Sequence, residues 1–156
     1  IRTLLTFEAR INAKHIDVAM DFAAEHTIVE ADQSQIAQVI RNLVDNAIKF
    51  SPDGGKLTVK IATDKKLAVI SVIDEGDGIS PEDLPYVFDR FYKAEKAHTP
   101  SGSSSGLGLS IVKRIIEQHG QTITASSPPG EGATFTLTLK LYEQQGKPKA
   151  SPSQRR

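Results

Sequence analysis

Apolar residues between positions 32 and 50 recur with a helical period. Ile36, Val39, Ile40, Leu43, Val44, Ala47 and Ile48 share one face, and Asp32 with Gln35 forms a capping pair at the start. Ser51-Pro52-Asp53-Gly54-Gly55 breaks this helix. Two β-rich runs follow, 56–63 and 67–73, joined by the polar turn Asp64-Lys65-Lys66, and they predict a hairpin that ends at Asp74. A second helix is predicted over 107–119, with Ile111, Val112, Ile115 and Ile116 apolar and Gly120 as its stop. Closing strands are expected over 121–126 and 133–141. In the latter Ala133, Phe135, Leu137, Leu139 and Leu141 alternate with Thr134, Thr136, Thr138 and Lys140. Residues 1–31 are less patterned, and Ile11, Ile16, Val18, Ile28 and Val29 read as weak strands with a scaffold role. The order predicts an α+β protein: a two-layer sandwich in which a mixed, mostly antiparallel sheet packs on about three helices.

The segment 74–106 is a long stretch of Gly, Pro, Ser and charge around the aromatic run 86–92, a composition that suits a mobile functional lid or disorder. From Glu143 the chain is Gln, Lys, Pro, Ser and Arg, so the reading is one domain over 1–142 and a disordered polar tail over 143–156. A chain of 156 residues, 38% hydrophobic, can bury a core. Nineteen basic residues balance nineteen acidic ones, which leaves no global field to hold nucleic acid or an anionic membrane, so an anionic ligand must be bound locally. The absence of cysteine excludes disulfides and thiolate chemistry and suits a reducing compartment.

Three segments carry candidate chemistry. On the first long helix Gln35, Asn42, Asn46 and Lys49 lie in one polar stripe beside the apolar face. Amide oxygens there could coordinate Mg²⁺ and a lysine could neutralise phosphate, although an ordinary solvated helix edge looks the same. Asp74-Glu75-Gly76-Asp77-Gly78 ends an apolar strand. A carboxylate in that place can accept from an exocyclic amine and the glycines permit close backbone approach, but a plain tight turn also fits, and the spacing of a calcium loop is missing. Gly106-Leu107-Gly108-Leu109 opens the second helix, where free N–H groups and the dipole favour an anion; alone this is weak, lacking the rest of a P-loop.

Together and in this order, from about residue 31 to 141, these segments resemble the histidine-kinase ATPase domain, within the wider family of gyrase, the Hsp90 chaperones and MutL. The resemblance implies a Bergerat-type fold that binds ATP and Mg²⁺. In the N box 42–50, it makes Asn46 the Mg²⁺ ligand, Asn42 its support, Lys49 a phosphate contact and Phe50 a wall of the site. Asp74 would take the adenine amino group, with Gly76 and Gly78 in the same box, which implies ATP rather than GTP. The F box 87–93 would offer Lys93 to the γ-phosphate, while Phe88 and Phe91 fit equally as lid anchors or as core. Gly106, Leu107 and Gly108 would present backbone amides to the phosphates under a Ser-rich lid, and Gly130-Glu131-Gly132, followed by Thr134, would close the far edge of the adenine pocket. This sequence departs from the family at Phe50, where Tyr is frequent, at Gln121, where a second Gly is usual, and before Gly106, where the lid lacks Gly or Thr.

Branches of the family that hydrolyse ATP place a Glu general base on the N-box helix, and the matching residue here, Asn42, cannot take a proton. Asp45 reads as a solvated residue. None of His15, His26, His98 or His119 has the His-Glu/Asp and downstream Pro context of a phosphoacceptor. The implied activity is therefore donation of the γ-phosphoryl group to a histidine on a dimerisation domain expected upstream of Ile1. The implied partners are that phosphoacceptor domain and a downstream response regulator, with no nucleic acid. The fragment is expected as a monomer of a homodimeric parent, on the cytoplasmic side of a membrane-bound sensor kinase; no apolar run reaches the roughly 20 residues of a membrane span. A serine protein kinase of the anti-sigma-factor type and a nucleotide-sensing pseudokinase module are the competing expectations.

Overall fold

The computed structural model describes residues 2–23, 26–92 and 106–143. In chain order the elements are α1 (Arg2–Leu5), α2 (Glu8–Ala13), β1 (Asp17–Phe22), α3 (Gln33–Phe50), β2 (Lys56–Asp64), β3 (Leu67–Asp74), a 3₁₀ turn (Leu84–Tyr86), α4 (Gly108–Gln118), β4 (Ile123–Ser126) and β5 (Ala133–Lys140). The strands form one sheet in the order β1-β2-β3-β5-β4. β1 runs parallel to β2 and every other pair is antiparallel, so the mixed, mostly antiparallel sheet expected from the sequence is present. The parallel pair is made possible by α3, which serves as the crossover between β1 and β2.

α3 forms where its apolar period requires. The Asp32 carboxylate accepts from the Gln35 N–H at 2.9 Å, which satisfies one of the donors left open at the helix start. Val39, Leu43, Val44, Ala47 and Ile48 are buried on its inner face, and Val112, Ile115 and Ile116 of α4 join them. Against these helices the sheet presents Leu57, Ile70, Val72, Phe135, Leu137 and Leu139. The period of two along β5 is complete, with Ala133, Phe135, Leu137 and Leu139 inward. His119 fastens the two long helices together. Its Nε2 accepts from the Asp32 N–H at 3.1 Å, and that fixes Nδ1–H as donor to the Ile115 carbonyl at 2.7 Å.

The N-terminal stretch differs from its expectation. Ile11 lies in α2 rather than in a strand, because Leu4, Phe7 and Ile11 stand three and four residues apart and turn one side toward the core. Val18 does enter a strand, whereas Val29 makes only an isolated bridge to Leu141. Among the described residues the helical layer contains two long helices, α3 and α4, and two short ones, α1 and α2. Glu143, placed at the start of the polar tail, pairs with Lys66 at 2.7 Å, and the rest of that tail lies outside the described residues.

Leu43 is fully buried where α3 meets the sheet. Leu43→Ala should cost about 2–5 kcal/mol of unfolding free energy, read from urea denaturation, and a loss well below that range would mean that α3 does not carry the core.

Candidate active site

Alternation along β3 turns Ala68, Ile70 and Val72 toward the helices, and the next residue on that side is Asp74. Its exposure is 2%, at a place where the pattern calls for an apolar side chain. Leu57 on β2 and Ala133 on β5 flank it in register. The Asp74 carboxylate accepts from the Gly76 N–H at 2.9 Å. Burial pushes its pKa above the ordinary carboxylate range, and backbone donors at Gly76 and Ala133 pull only partly the other way. A buried carboxylate so poorly compensated is costly to the fold and is primed to accept from a donor brought by a ligand.

The surroundings bring backbone very close to this carboxylate. A methyl group on Gly76 would overlap the carbonyl oxygen of Phe50, so the end of α3 sits directly on the loop that leaves β3. Gly132 has φ of 74°, and a side chain there would overlap the Asp74 carbonyl oxygen. These glycines are demanded by the chain's own packing, a reason that precedes any approach to a ligand ring. Ser127, which sequence reasoning passed over, joins the two walls. Its hydroxyl donates to the Gly132 carbonyl at 2.5 Å and accepts from the Ile79 N–H at 2.7 Å, next to Gly78. Its only signal in sequence is a serine placed just before the Pro-Pro-Gly turn.

The polar stripe of α3 runs up to this point. Asn42, Asn46 and Lys49 are half-buried on its second half, whereas Gln35 lies two turns earlier. The Asn42 amide donates to the Gly108 carbonyl at 3.3 Å and so holds the first turn of α4 beside α3. The Lys49 ammonium stands 5.4 Å from the ring centre of Phe50, which is 42% exposed at the rim. Asp45 is turned away and pairs with Arg10 of α2. Among the described residues no side chain caps the start of α4 at Leu107. Gly106 accepts from the Phe91 N–H at 3.0 Å, which closes the neck of the segment between them.

The two F-box phenylalanines differ in burial. Phe88 meets Phe135 edge-on at 6.0 Å and belongs to the core, while Phe91 is 69% exposed at the neck. Lys93, His98 and the Ser-rich lid lie outside the described residues. Thr134 is not brought to the site. The alternation of β5 places Ala133 opposite Asp74 and sends Thr134 to the sheet face away from the helices. An apolar cleft of about 260 Å³, lined by Leu4, Phe22, Ile36, Ile40 and Ile61 among others, lies under the first half of α3, away from Asp74. Among the described residues, no three His, Asp or Glu side chains gather to hold a metal ion.

Residues 31–143 match the family described as histidine kinase-, DNA gyrase B-, and HSP90-like ATPase. The chain belongs to this family. ATP is accordingly the ligand of the domain. Sensor histidine kinase WalK of Bacillus subtilis is 41% identical over 134 residues, which cover 85% of this chain and 22% of that protein. Sensor-like histidine kinase SenX3 of Mycobacterium tuberculosis is 41% identical over 124 residues, covering 80% of this chain and 30% of that protein. The solved catalytic domain of histidine kinase ThkA superposes with a TM-score of 0.78 at 31% identity, covering 89% of this chain and 88% of that one. The mycobacterial sensor histidine kinase MprB gives 0.74 at 27%, with 92% and 93% covered. The chain thus spans less than a third of the curated relatives it matches and nearly all of the solved catalytic domains.

Because the folded pKa of Asp74 is raised, its stabilising contribution is present at acid pH and is lost as pH climbs through that raised value. Asp74→Asn, neutral throughout, should therefore be more stable than the unsubstituted chain in urea at pH 7. The gap should close as pH falls toward the ordinary carboxylate value of 3.8. A variant that is less stable at pH 7, or a gap independent of pH, would contradict the assignment.

Proposed function

We propose that this chain is the catalytic part of a sensor histidine kinase. It holds Mg²⁺·ATP between the second half of α3 and the end of β3, and gives the γ-phosphoryl group to a histidine on a separate dimerisation domain. The observation that carries the reading is the desolvated Asp74 carboxylate, which meets backbone donors but no opposite charge among the described residues, beside the last turn of a helix bearing Asn42, Asn46 and Lys49. Asp74 accepts from the adenine amino group, where guanine would present an oxygen. Phe50 covers the ring edge from the rim, and Lys49 meets the phosphates. Gly106, Leu107 and Gly108 offer backbone N–H groups at the start of α4. The amide of Asn46 suits Mg²⁺, a hard cation that takes one or two protein oxygens and completes its shell with phosphate and water; bound there, the ion would neutralise charge on the phosphates. Gly78 acts with Ser127 in shaping the pocket, and Lys93 is assigned to the γ-phosphate on the family resemblance alone.

Asn42 supports transfer over hydrolysis. Its amide is engaged with the Gly108 carbonyl and has no basic site to take a proton from water. In the transfer, the bond from the γ-phosphorus to the bridging oxygen breaks, a bond from phosphorus to an imidazole nitrogen forms, and ADP leaves. Proton handling belongs to the acceptor's domain, so this chain has only to position nucleotide and metal. The names of the relatives support this reading. The structure of ThkA in complex with response regulator protein TrrA, at 29% identity and a TM-score of 0.75, supports a response regulator as the downstream partner. The domain is assigned to 1–142, on the cytoplasmic side of its membrane-bound parent; no helix among the described residues is long and apolar enough to cross a membrane.

The test supplies γ-labelled ATP, Mg²⁺ and the separate phosphoacceptor domain of the 41%-identical relative WalK. Acid-labile label should pass to the acceptor histidine. Asn46→Asp, which sets a negative charge beside the triphosphate, should reduce transfer by about 100-fold or more. Near-normal transfer by that variant would contradict the metal assignment, and label lost only as inorganic phosphate would contradict the kinase.

A further inference from the structure

α3 ends without the left-handed glycine that satisfies the last carbonyls of many helices; its final cap, Ser51, is extended at φ −67° and ψ 139°. The Ser51 hydroxyl donates to the Ala47 carbonyl at 2.7 Å. Three carbonyls around it, all but that of Phe50, are taken by a residue from elsewhere in the chain. Lys14, in the turn between α2 and β1, sends its ammonium to the carbonyl oxygens of Ile48, Lys49 and Ser51 at 2.8, 3.1 and 3.0 Å. An ammonium has three donors, and here each finds an acceptor at the negative end of an 18-residue helix. The same turn is stitched to the loop after α3 by backbone: Gly54 N–H donates to the Lys14 carbonyl at 2.8 Å and Asp17 N–H to the Gly55 carbonyl at 2.9 Å.

The three carbonyls held by Lys14 bracket Phe50, and the carbonyl of Phe50 is the atom on which Gly76 rests. A continuous path of contact therefore leads from the Lys14 ammonium to the last turn of α3, then to the loop leaving β3, and ends at the carboxylate of Asp74. We propose that Lys14 is a positioning residue for nucleotide binding. By gripping the open end of α3 it fixes how close Asn46, Lys49 and Phe50 stand to Asp74, without touching the ligand itself. The inference rests on the ATP site proposed above.

Calorimetric titration of the chain with Mg²⁺·ATP tests it, using K14M, K14R and, as a control, Ile123→Ala, a buried position on β4 whose strand neighbour is Leu137. K14M should weaken ATP binding by about tenfold or more, the scale expected when site groups are displaced by a fraction of an ångström. K14R, which keeps a positive charge and donors at the helix end but not the geometry of a single ammonium on three carbonyls, should weaken binding less than K14M. Ile123→Ala should lower the thermal unfolding midpoint at least as much as K14M and leave affinity unchanged, which separates positioning from general destabilisation. Should K14M not fold, K14Q, neutral and shorter, carries the same expectation. Unsubstituted affinity in K14M or K14Q would overturn the role of Lys14 alone. Loss of affinity in Ile123→Ala in proportion to its stability would overturn it too, and absence of binding by the unsubstituted chain would overturn the nucleotide site with it.

Discussion

A carboxylate buried at the end of a central strand is the constraint to which the rest of this structure answers. Asp74 occupies the position that Ala68, Ile70 and Val72 prepare for another apolar residue, and its exposure is 2%. Within the described residues it receives backbone donors but no opposite charge, so its burial costs the fold stability. Around it everything is small or tied down. Gly76 and Gly132 leave room for carbonyl oxygens of Phe50 and of Asp74 itself, and Ser127 locks the two loops that carry them. Among the described residues the helices cover one face of the sheet, and the candidate site falls where the end of β3 meets the end of α3. There a core position is taken by a carboxylate.

Much of this was legible in sequence because it repeats. The helical period from Ile36 to Ile48 marked α3, and strict alternation marked β3 and β5. The Asp-x-Gly-x-Gly segment was visible as a motif, yet its depth was not, since burial depends on what packs above it. Continuing the alternation of β3 by one step would have placed Asp74 on the core face. The same rule applied to β5 turns Thr134, named with the third glycine box, to the other face of the sheet; Ala133 is the residue in register with Asp74.

What stayed hidden depends on contacts between distant residues. Lys14 finds acceptors on the far side of more than thirty intervening residues, and a lysine in a turn gives no sign of that. Ser127 reaches back to Ile79 in the same way. Leu4, Phe7 and Ile11 form too short a pattern to separate helix from strand before the sheet edge beneath them is known. The parallel pairing of β1 with β2 is likewise a consequence of the α3 crossover, which no local signal reports. These hidden residues hold in place the elements that carry the visible motifs, which is why a reading by motif named candidate residues and missed their supports.

Titration of this chain with ATP and with GTP, each with and without Mg²⁺, tests the central claim most directly, because it reads the pairing of Asp74 with an exocyclic amine without needing any other domain. The account predicts binding that is selective for adenine by at least about 1.4 kcal/mol, or tenfold, and that is strengthened by Mg²⁺. Equal affinity for GTP would contradict the role given to Asp74, and no binding of either nucleotide would contradict the site as a whole.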